Sequence, residues 1–345
     1  MIIESLMKVQ SGGHLTEGET ACVFGEIMRG EVAGEAVLAA LLTGMQMNGP
    51  TAAEVVGATR AMRNACVHVN VPKDAVDIVG TGGDGFGTFN VSTTAAIIAA
   101  GAGVTIAKHG NRASTSKSGS ADCLAALGYD LEKPIGEIER SVRENGIGFL
   151  FANKCHPAMR HAAPVRRALP FRTIFNLVGP LSNPAGVRRY ALGAYSPKVM
   201  ELYVDALRSL GAERAVVFCG PDGLDELGIS GASRVVELSG NGIVRNYEIA
   251  PERIFGKVRP ASSIAGGDPE ANAQITLEVL AGRERGAYRD AAALNAAAAI
   301  LAGGKAGTIE EGLALAYESI DSGRALSKLR SLVGRLPDDG RQPVG

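Results

Sequence analysis

Four short segments of this chain combine residue types that could do chemistry. The first runs Gly80-Thr81-Gly82-Gly83-Asp84-Gly85-Phe86-Gly87-Thr88-Phe89-Asn90-Val91-Ser92-Thr93-Thr94, with glycine at five of its first eight positions. Glycines let backbone N–H groups approach an oxyanion closely, and a helix opening at Asn90, Ser92 and Thr93 would aim its positive dipole end at the same place. The run matches neither the P-loop GxxxxGK[ST] nor the dinucleotide GxGxxG, so alone it is also compatible with a tight turn and a helix cap. The second runs from Lys108 through His109, Gly110, Asn111, Arg112, Ala113, Ser114, Thr115 and Ser116 to Ser120 and Asp122. Lys108 offers a point charge and the amides and hydroxyls offer donors, so two such loops side by side would enclose a phosphorylated ligand.

The third segment, Asp222-Gly223-Leu224-Asp225-Glu226, brings adjacent carboxylates. It reads either as an acidic surface turn or as a Mg²⁺ site, since Mg²⁺ prefers a few carboxylate or hydroxyl oxygens, Ser92 among the candidates, plus substrate phosphates. The fourth contains His156-Pro157-Ala158-Met159-Arg160, Pro164-Val165-Arg166-Arg167 and Arg172-Thr173-Ile174-Phe175-Asn176, and continues through Gly179-Pro180-Leu181 to Asn183-Pro184. An arginine here could read the carboxylate of a second, small acidic substrate in bidentate fashion, although spacing does not choose among Arg160, Arg166, Arg167 and Arg172. His109 and His156 fit either a base or a ring that orders its loop by hydrogen bonding. Residues 85–121 and 145–200 contain no Asp or Glu, and the second window carries many Lys and Arg, as an anionic ligand would require.

These segments need elements to hold them. Thr16xxGlu19 and Thr51xxGlu54 are capping-box patterns that open helices within residues 1–70, with Asn48-Gly49-Pro50 as a break. From Ala75 an apolar run ends at Gly80, an alanine-rich helix extends to about Ala100, and a second β-like run spans Val104 to Ala107, giving a βαβ unit. Tyr190–Tyr195 and Ala215–Cys219 read as strands, and Val235–Leu238 with Ile243–Ile249 as a hairpin around Gly240-Asn241-Gly242. From Pro269 the pattern is helical, broken near Gly282, Gly303 and Gly323. In open α/β sheets the binding crevice lies at the carboxyl ends of the strands, which is where the first three segments fall.

The chain has 345 residues, 35 basic and 36 acidic, and a net charge of −1, which argues against a polycation working on nucleic acid or an anionic membrane. Glycine at 45 of 345 without a period of three, beside 46 % hydrophobic residues, excludes collagen and disorder. The five cysteines form no CxxC pair and no zinc spacing, as expected of reduced thiols in a cytoplasmic protein. MIIESLMKVQ carries a glutamate where a signal peptide would be apolar, and the longest apolar stretch, Ala291 to Gly304, is interrupted by Asn295 and is too short to span a membrane.

In this order the four segments resemble the anthranilate phosphoribosyltransferase family, whose hallmarks are GTGGD, KHGNR…SGSAD, HPAM…PVR…RTIFN…GPL.NPA and DGLDE. The likeness continues through Gly266-Gly267-Asp268, Ala271-Asn272-Ala273, Arg289-Asp290, Leu294-Asn295-Ala296 and Ile320-Asp321-Ser322-Gly323, and so covers nearly the whole chain. It departs at Glu226–Ala232, at Ser114-Thr115-Ser116 and at Pro251–Gly256. The resemblance implies a small helical domain, residues 1–70 with a returning segment near 165–185. This domain would pack on a larger α/β domain, residues 71–345, whose central mixed, mostly parallel sheet is flanked by helices. It also implies a cytoplasmic homodimer joined through the helical domains, with neither nucleic acid nor membrane as partner. By the same resemblance phosphoribosyl pyrophosphate is held by Gly80, Gly83, Asp84, Thr88, Asn90, Val91, Ser92, Thr93, Lys108 through Ser116 and Ser120. Magnesium, as two ions per subunit, is held by Ser92, Asp225 and Glu226. Gly80, Asn111 and Arg166 contact anthranilate, and His109, His156 and Pro180 line its route inward. Lys108, Asn111 and Arg166 are the implied catalytic residues. The rival readings are a pyrimidine-nucleoside phosphorylase and a non-catalytic relative that binds nucleic acid.

Overall fold

The computed structural model describes residues 1–32, 34–113, 116–240, 242 and 244–336. Four helices open the chain: α1 (Ile2–Gln10), α2 (Glu17–Arg29), α3 (Glu35–Asn48) and α4 (Ala52–Asn64). Both capping boxes form. Thr16 Oγ1 accepts from the Glu19 N–H at 3.2 Å and Glu19 accepts from the Thr16 N–H at 2.7 Å, with the same exchange between Thr51 and Glu54. Glu54 also accepts from the Leu15 N–H at 2.9 Å, so the second box ties α4 to the segment before α2.

Strands and helices then alternate: β1 (Val76–Gly80), α5 (Val91–Gly101), β2 (Ile106–Gly110), α6 (Ser120–Ala126), α7 (Ile135–Asn145) and β3 (Ile147–Phe151). Three short helices return to the opening bundle: α8 (Ala152–Cys155), α9 (Ala163–Ala168) and α10 (Ile174–Val178). Of these, α9 packs on α3, and α10 on α3 and α4. The chain re-enters the sheet with β4 (Arg189–Gly193), α11 (Pro197–Ser209) and β5 (Arg214–Cys219), followed by the hairpin β6 (Ser233–Leu238) and β7 (Val244–Ile249). It ends with α12 (Pro251–Phe255), α13 (Pro269–Leu280), α14 (Ala287–Ala302), α15 (Ile309–Asp321) and α16 (Arg324–Val333).

The seven strands form one sheet in the order β3-β2-β1-β4-β5-β6-β7, parallel from β3 to β5 and antiparallel through β6 and β7. The expected strands recur with small shifts: β2 starts two residues later than expected and runs on to Gly110. The hairpin forms, although Asn241 and Ile243 of its turn lie outside the described residues. β3 has no counterpart among the expected strands, because Ile147–Phe151 is buried throughout and has no period-two alternation to separate it from a helix segment.

Side chains alternate between two cores. Val76, Ile78, Ile106, Phe149 and Val216 face one that includes α5, α13 and α14, while Ala75, Ala107, Leu150, Tyr190 and Val217 face another shared with α2, α3, α4 and α11. Helix α14 has buried residues all round, and its alanines let it lie against both α5 and α15.

Candidate active site

The loop after β1 carries positive φ at Gly82, Gly83, Gly85 and Gly87, a path closed to most L-residues, and ends where Asn90 caps α5. The acidic turn folds over it. A Cβ on Gly80 would collide with the Asp225 carboxylate, so only glycine lets the turn lie on the end of β1. Asp225 accepts from the Gly82 N–H at 2.5 Å and from Thr81 Oγ1 at 3.1 Å. Burial and the neighbouring Asp84 push its pKa up to about 7. Glu226 is raised well above the usual carboxylate range by burial and by Asp225, against the opposing pull of Lys108 and the Ser92 N–H. Two buried carboxylates with so little cationic compensation form an oxygen donor set suited to a hard divalent cation. Among the described residues no three His, Cys, Asp or Glu side chains cluster as a metal cage.

From β2, Lys108 is 4 % exposed, donates to the Ile78 carbonyl at 2.7 Å and lies 3.4 Å from Ser92 Oγ. Burial lowers its pKa, and Asp77 and Glu226 oppose the fall. Beyond Gly110 the loop returns on Asp122, whose carboxylate accepts from the N–H groups of Ala113 at 2.8 Å and Gly119 at 3.0 Å and from Arg112 Nη1 at 2.8 Å. Arg112 is thus engaged with its own loop. Asn111 accepts from the Arg112 N–H through its side chain and from the Ala121 N–H through its carbonyl, which places Ser120 at the start of α6. Ser116 bonds to the Ser118 carbonyl, while Ser114 and Thr115 lie outside the described residues.

The other side of the site comes from the returning segment. His109 and His156 stand ring to ring, 5.1 Å between centroids, and hydrogen-bond to the backbones of Gly179 and Ser182. Burial drives the His109 pKa well below its usual value and that of His156 to about 4, so both rings are neutral at pH 7. Each keeps a buried Nε2 without a hydrogen-bond partner among the described residues, beside the turn that holds Pro180. The arginines now separate. Arg188 and Arg189 pair with Glu213, and Arg172 is spent on the Gly83 carbonyl while its guanidinium carbon lies 3.8 Å from the Tyr195 ring centre. Arg166, on α9, is exposed, with its guanidinium carbon 5.2 Å from the ring centre of Phe175 on α10, the helix that leads into the Gly179–Leu181 turn.

Two regions of the chain match family models: residues 72–326 match the glycosyl transferase family, a/b domain, and residues 3–66 match its helical bundle domain. An anthranilate phosphoribosyltransferase of Rubrobacter xylanophilus is 51 % identical over 96 % of this chain and 97 % of its own. The chain belongs to the anthranilate phosphoribosyltransferase family. The crystal structure of a family member from Thermus thermophilus superimposes with a TM-score of 0.90 at 45 % identity, covering 96 % of this chain and 98 % of that one. The Saccharomyces cerevisiae family member, in complex with PRPP and Mg, superimposes with a TM-score of 0.88 at 29 % identity, covering 96 % and 97 %.

Sequence reasoning gave no role to two buried polar residues. Asp77 is fully buried and accepts from the His109 N–H at 3.0 Å and from Asn183 Nδ2 at 2.8 Å. Asn295 accepts from the Leu227 N–H at 2.9 Å and donates to its carbonyl at 3.0 Å, fixing the backbone that follows Glu226. A lone polar residue inside an apolar run was the available signal for both.

Proposed function

We propose that the chain transfers the phosphoribosyl group of phosphoribosyl pyrophosphate to the amine of anthranilate. The products are N-(5-phosphoribosyl)anthranilate and pyrophosphate, in the second step from chorismate to tryptophan. The observation that carries this reading is the pairing of unlike walls: a glycine loop, Lys108 and buried carboxylates on one side, and Arg166 with neutral histidines on the other. Gly80, Gly83, Asp84, Thr88, Asn90, Val91, Ser92, Thr93, Lys108 through Ser116 and Ser120 hold phosphoribosyl pyrophosphate, and Arg166, Asn111 and Gly80 hold the acceptor, which enters past His109, His156 and Pro180. The amine attacks C1 of the ribose as pyrophosphate leaves, with no covalent enzyme intermediate. Lys108 and the loop amides stabilise the departing charge, so positioning and electrostatics carry the rate. An aromatic amine is unprotonated at neutral pH, and no general base is assigned.

Ser92, Asp225 and Glu226 are the residues that would hold magnesium, as two ions per subunit. When bound, magnesium supplies charge neutralisation for the pyrophosphate group. We assign residues 1–70 with the return near 165–185 to one domain and 71–345 to the other. The exposed Ile3, Met7 and Met47 on the opening helices support a homodimer joined there. No helix among the described residues is long and apolar enough to cross a membrane; we place the enzyme in the cytoplasm on the resemblance to its family.

The test is loss of anthranilate fluorescence on mixing with phosphoribosyl pyrophosphate, with and without Mg²⁺. Magnesium-dependent loss is expected, and no loss with folded protein would overturn the reading.

A further inference from the structure

The segment from the turn Ala261–Ile264 to the first turn of α13 holds none of the residues assigned above to a substrate, yet it is fastened to the last part of the phosphate loop, residues 87–90. The Phe89 N–H donates to the Ile264 carbonyl at 3.0 Å, and the Gly266 N–H donates to the Gly87 carbonyl at 2.8 Å. A Cβ on Gly266 would lie 2.6 Å from the Thr88 carbonyl oxygen and 2.8 Å from Asn272 Oδ1, so the two backbones meet only because residue 266 is glycine. At the centre is Asn272, 1 % exposed. Its Oδ1 accepts from the Gly267 N–H at 2.8 Å and its Nδ2 donates to Asn90 Oδ1 at 2.9 Å. Asn90 Oδ1 also accepts from Ser118 Oγ at 3.0 Å, and Asn90 Nδ2 donates to the Ser118 carbonyl at 3.3 Å.

This network reads the orientation of one amide. Two donors converge on Asn90 Oδ1 and one carbonyl accepts from its Nδ2, so a flipped Asn90 would set donor against donor at Asn272 and acceptor against acceptor at the Ser118 carbonyl, and only the Ser118 hydroxyl could adapt by accepting. The fixed amide keeps its second Nδ2 hydrogen clear of the contacts named, at the start of α5, where a helix N-terminus already favours an anion.

Resting on the functional reading above, we propose that Asn272 is a positioning residue for phosphoribosyl pyrophosphate. It locks the Asn90 amide with its donor edge toward the phosphates and joins the loops after β1 and β2 into one preformed cradle. It touches no reacting atom and acts through Asn90 and Ser118.

The isosteric Asn272→Asp variant presents only acceptors to Asn90 Oδ1. It is expected to raise the KM for phosphoribosyl pyrophosphate by about tenfold or more, with the anthranilate KM within about twofold of wild type. Asn272→Ala, which removes the tie without adding a charge, should raise the same KM by about three- to fivefold, and Asn272→Gln, which restores a donor and an acceptor, should recover part of that loss. If Asn272→Asp does not fold, the Ala and Gln variants carry the test. A role confined to stability would lower the thermal midpoint and leave the ratio of the two KM values unchanged, and that result would overturn the inference. Product formation by wild type together with an unaltered donor KM in the variants refutes the positioning role alone, whereas no product from wild type refutes the functional reading beneath it.

Discussion

Lys108 and His109 are neighbours on β2, yet they serve opposite halves of the site. Strand alternation sends Lys108 toward the core that holds α5 and sends His109 toward the returning segment. On the Lys108 side the groups are charged or poised to charge: a buried ammonium, two carboxylates held above their usual pKa, and loop amides. On the His109 side two rings are neutral, and Arg166 stands against the Phe175 ring. The contrast teaches a division of labour. On the proposed reading, the half that neutralises a polyanion is built from backbone and strand ends with little freedom, while the half that recognises a small acid uses a cation and neutral walls.

Removing the charged half should have the largest effect. Asp225→Ala combined with Glu226→Ala is expected to lower kcat/KM for phosphoribosyl pyrophosphate by about 10²–10³ and to abolish the response to added Mg²⁺, both read in steady-state assays. Retention of the Mg²⁺ response would show that the cation lies elsewhere.

The arginine is the next point of attack. Arg166→Ala should raise the anthranilate KM by about 30- to 100-fold and leave the donor KM nearly unchanged, and Arg166→Lys should recover only part because an ammonium cannot make the bidentate contact. Equal shifts in both KM values would erase the distinction between the halves.

Asp77 lies beneath both, and its effect appears as stability against pH. Burial raises its pKa to about 6, with Lys108, Asn183 and the His109 N–H opposing. Between its unfolded value of about 3.9 and about 6 the native state holds a proton that the unfolded chain has released, so stability should fall as pH rises through that window and level off above it. The slope due to this group is about 1.4 kcal/mol per pH unit, and Asp77→Asn should flatten it in urea titrations run from pH 4 to pH 7.

The smallest change belongs to the neutral wall. His156→Gln is expected to shift the anthranilate KM by no more than about threefold and to leave the activity profile between pH 6 and 8 unaltered, because the ring contributes a hydrogen bond and packing rather than a proton. A profile that changes shape would return the histidine to the role of a base.

Much of this was legible in the residues themselves. Capping boxes, glycine loops and the acid-free windows are local, and local chemistry dictated the opening helices, the βαβ unit and the two loops at the strand ends, because caps, turns and period-two patterns depend on near neighbours. Composition and order together were enough to mark the family resemblance and the residues it carries.

What only the tertiary structure decided was which groups meet. Spacing could not choose among Arg160, Arg166, Arg167 and Arg172; the fold ties Arg172 to the Gly83 carbonyl and the Tyr195 ring and sets Arg166 beside Phe175, while the resemblance alone singles out Arg166 for anthranilate. Nor could spacing reveal that Asn272 reaches Asn90, or that Asn295 holds the backbone after Glu226. Those contacts join segments far apart in the chain, and a buried polar group is satisfied by whatever the fold brings to it, which no local pattern records.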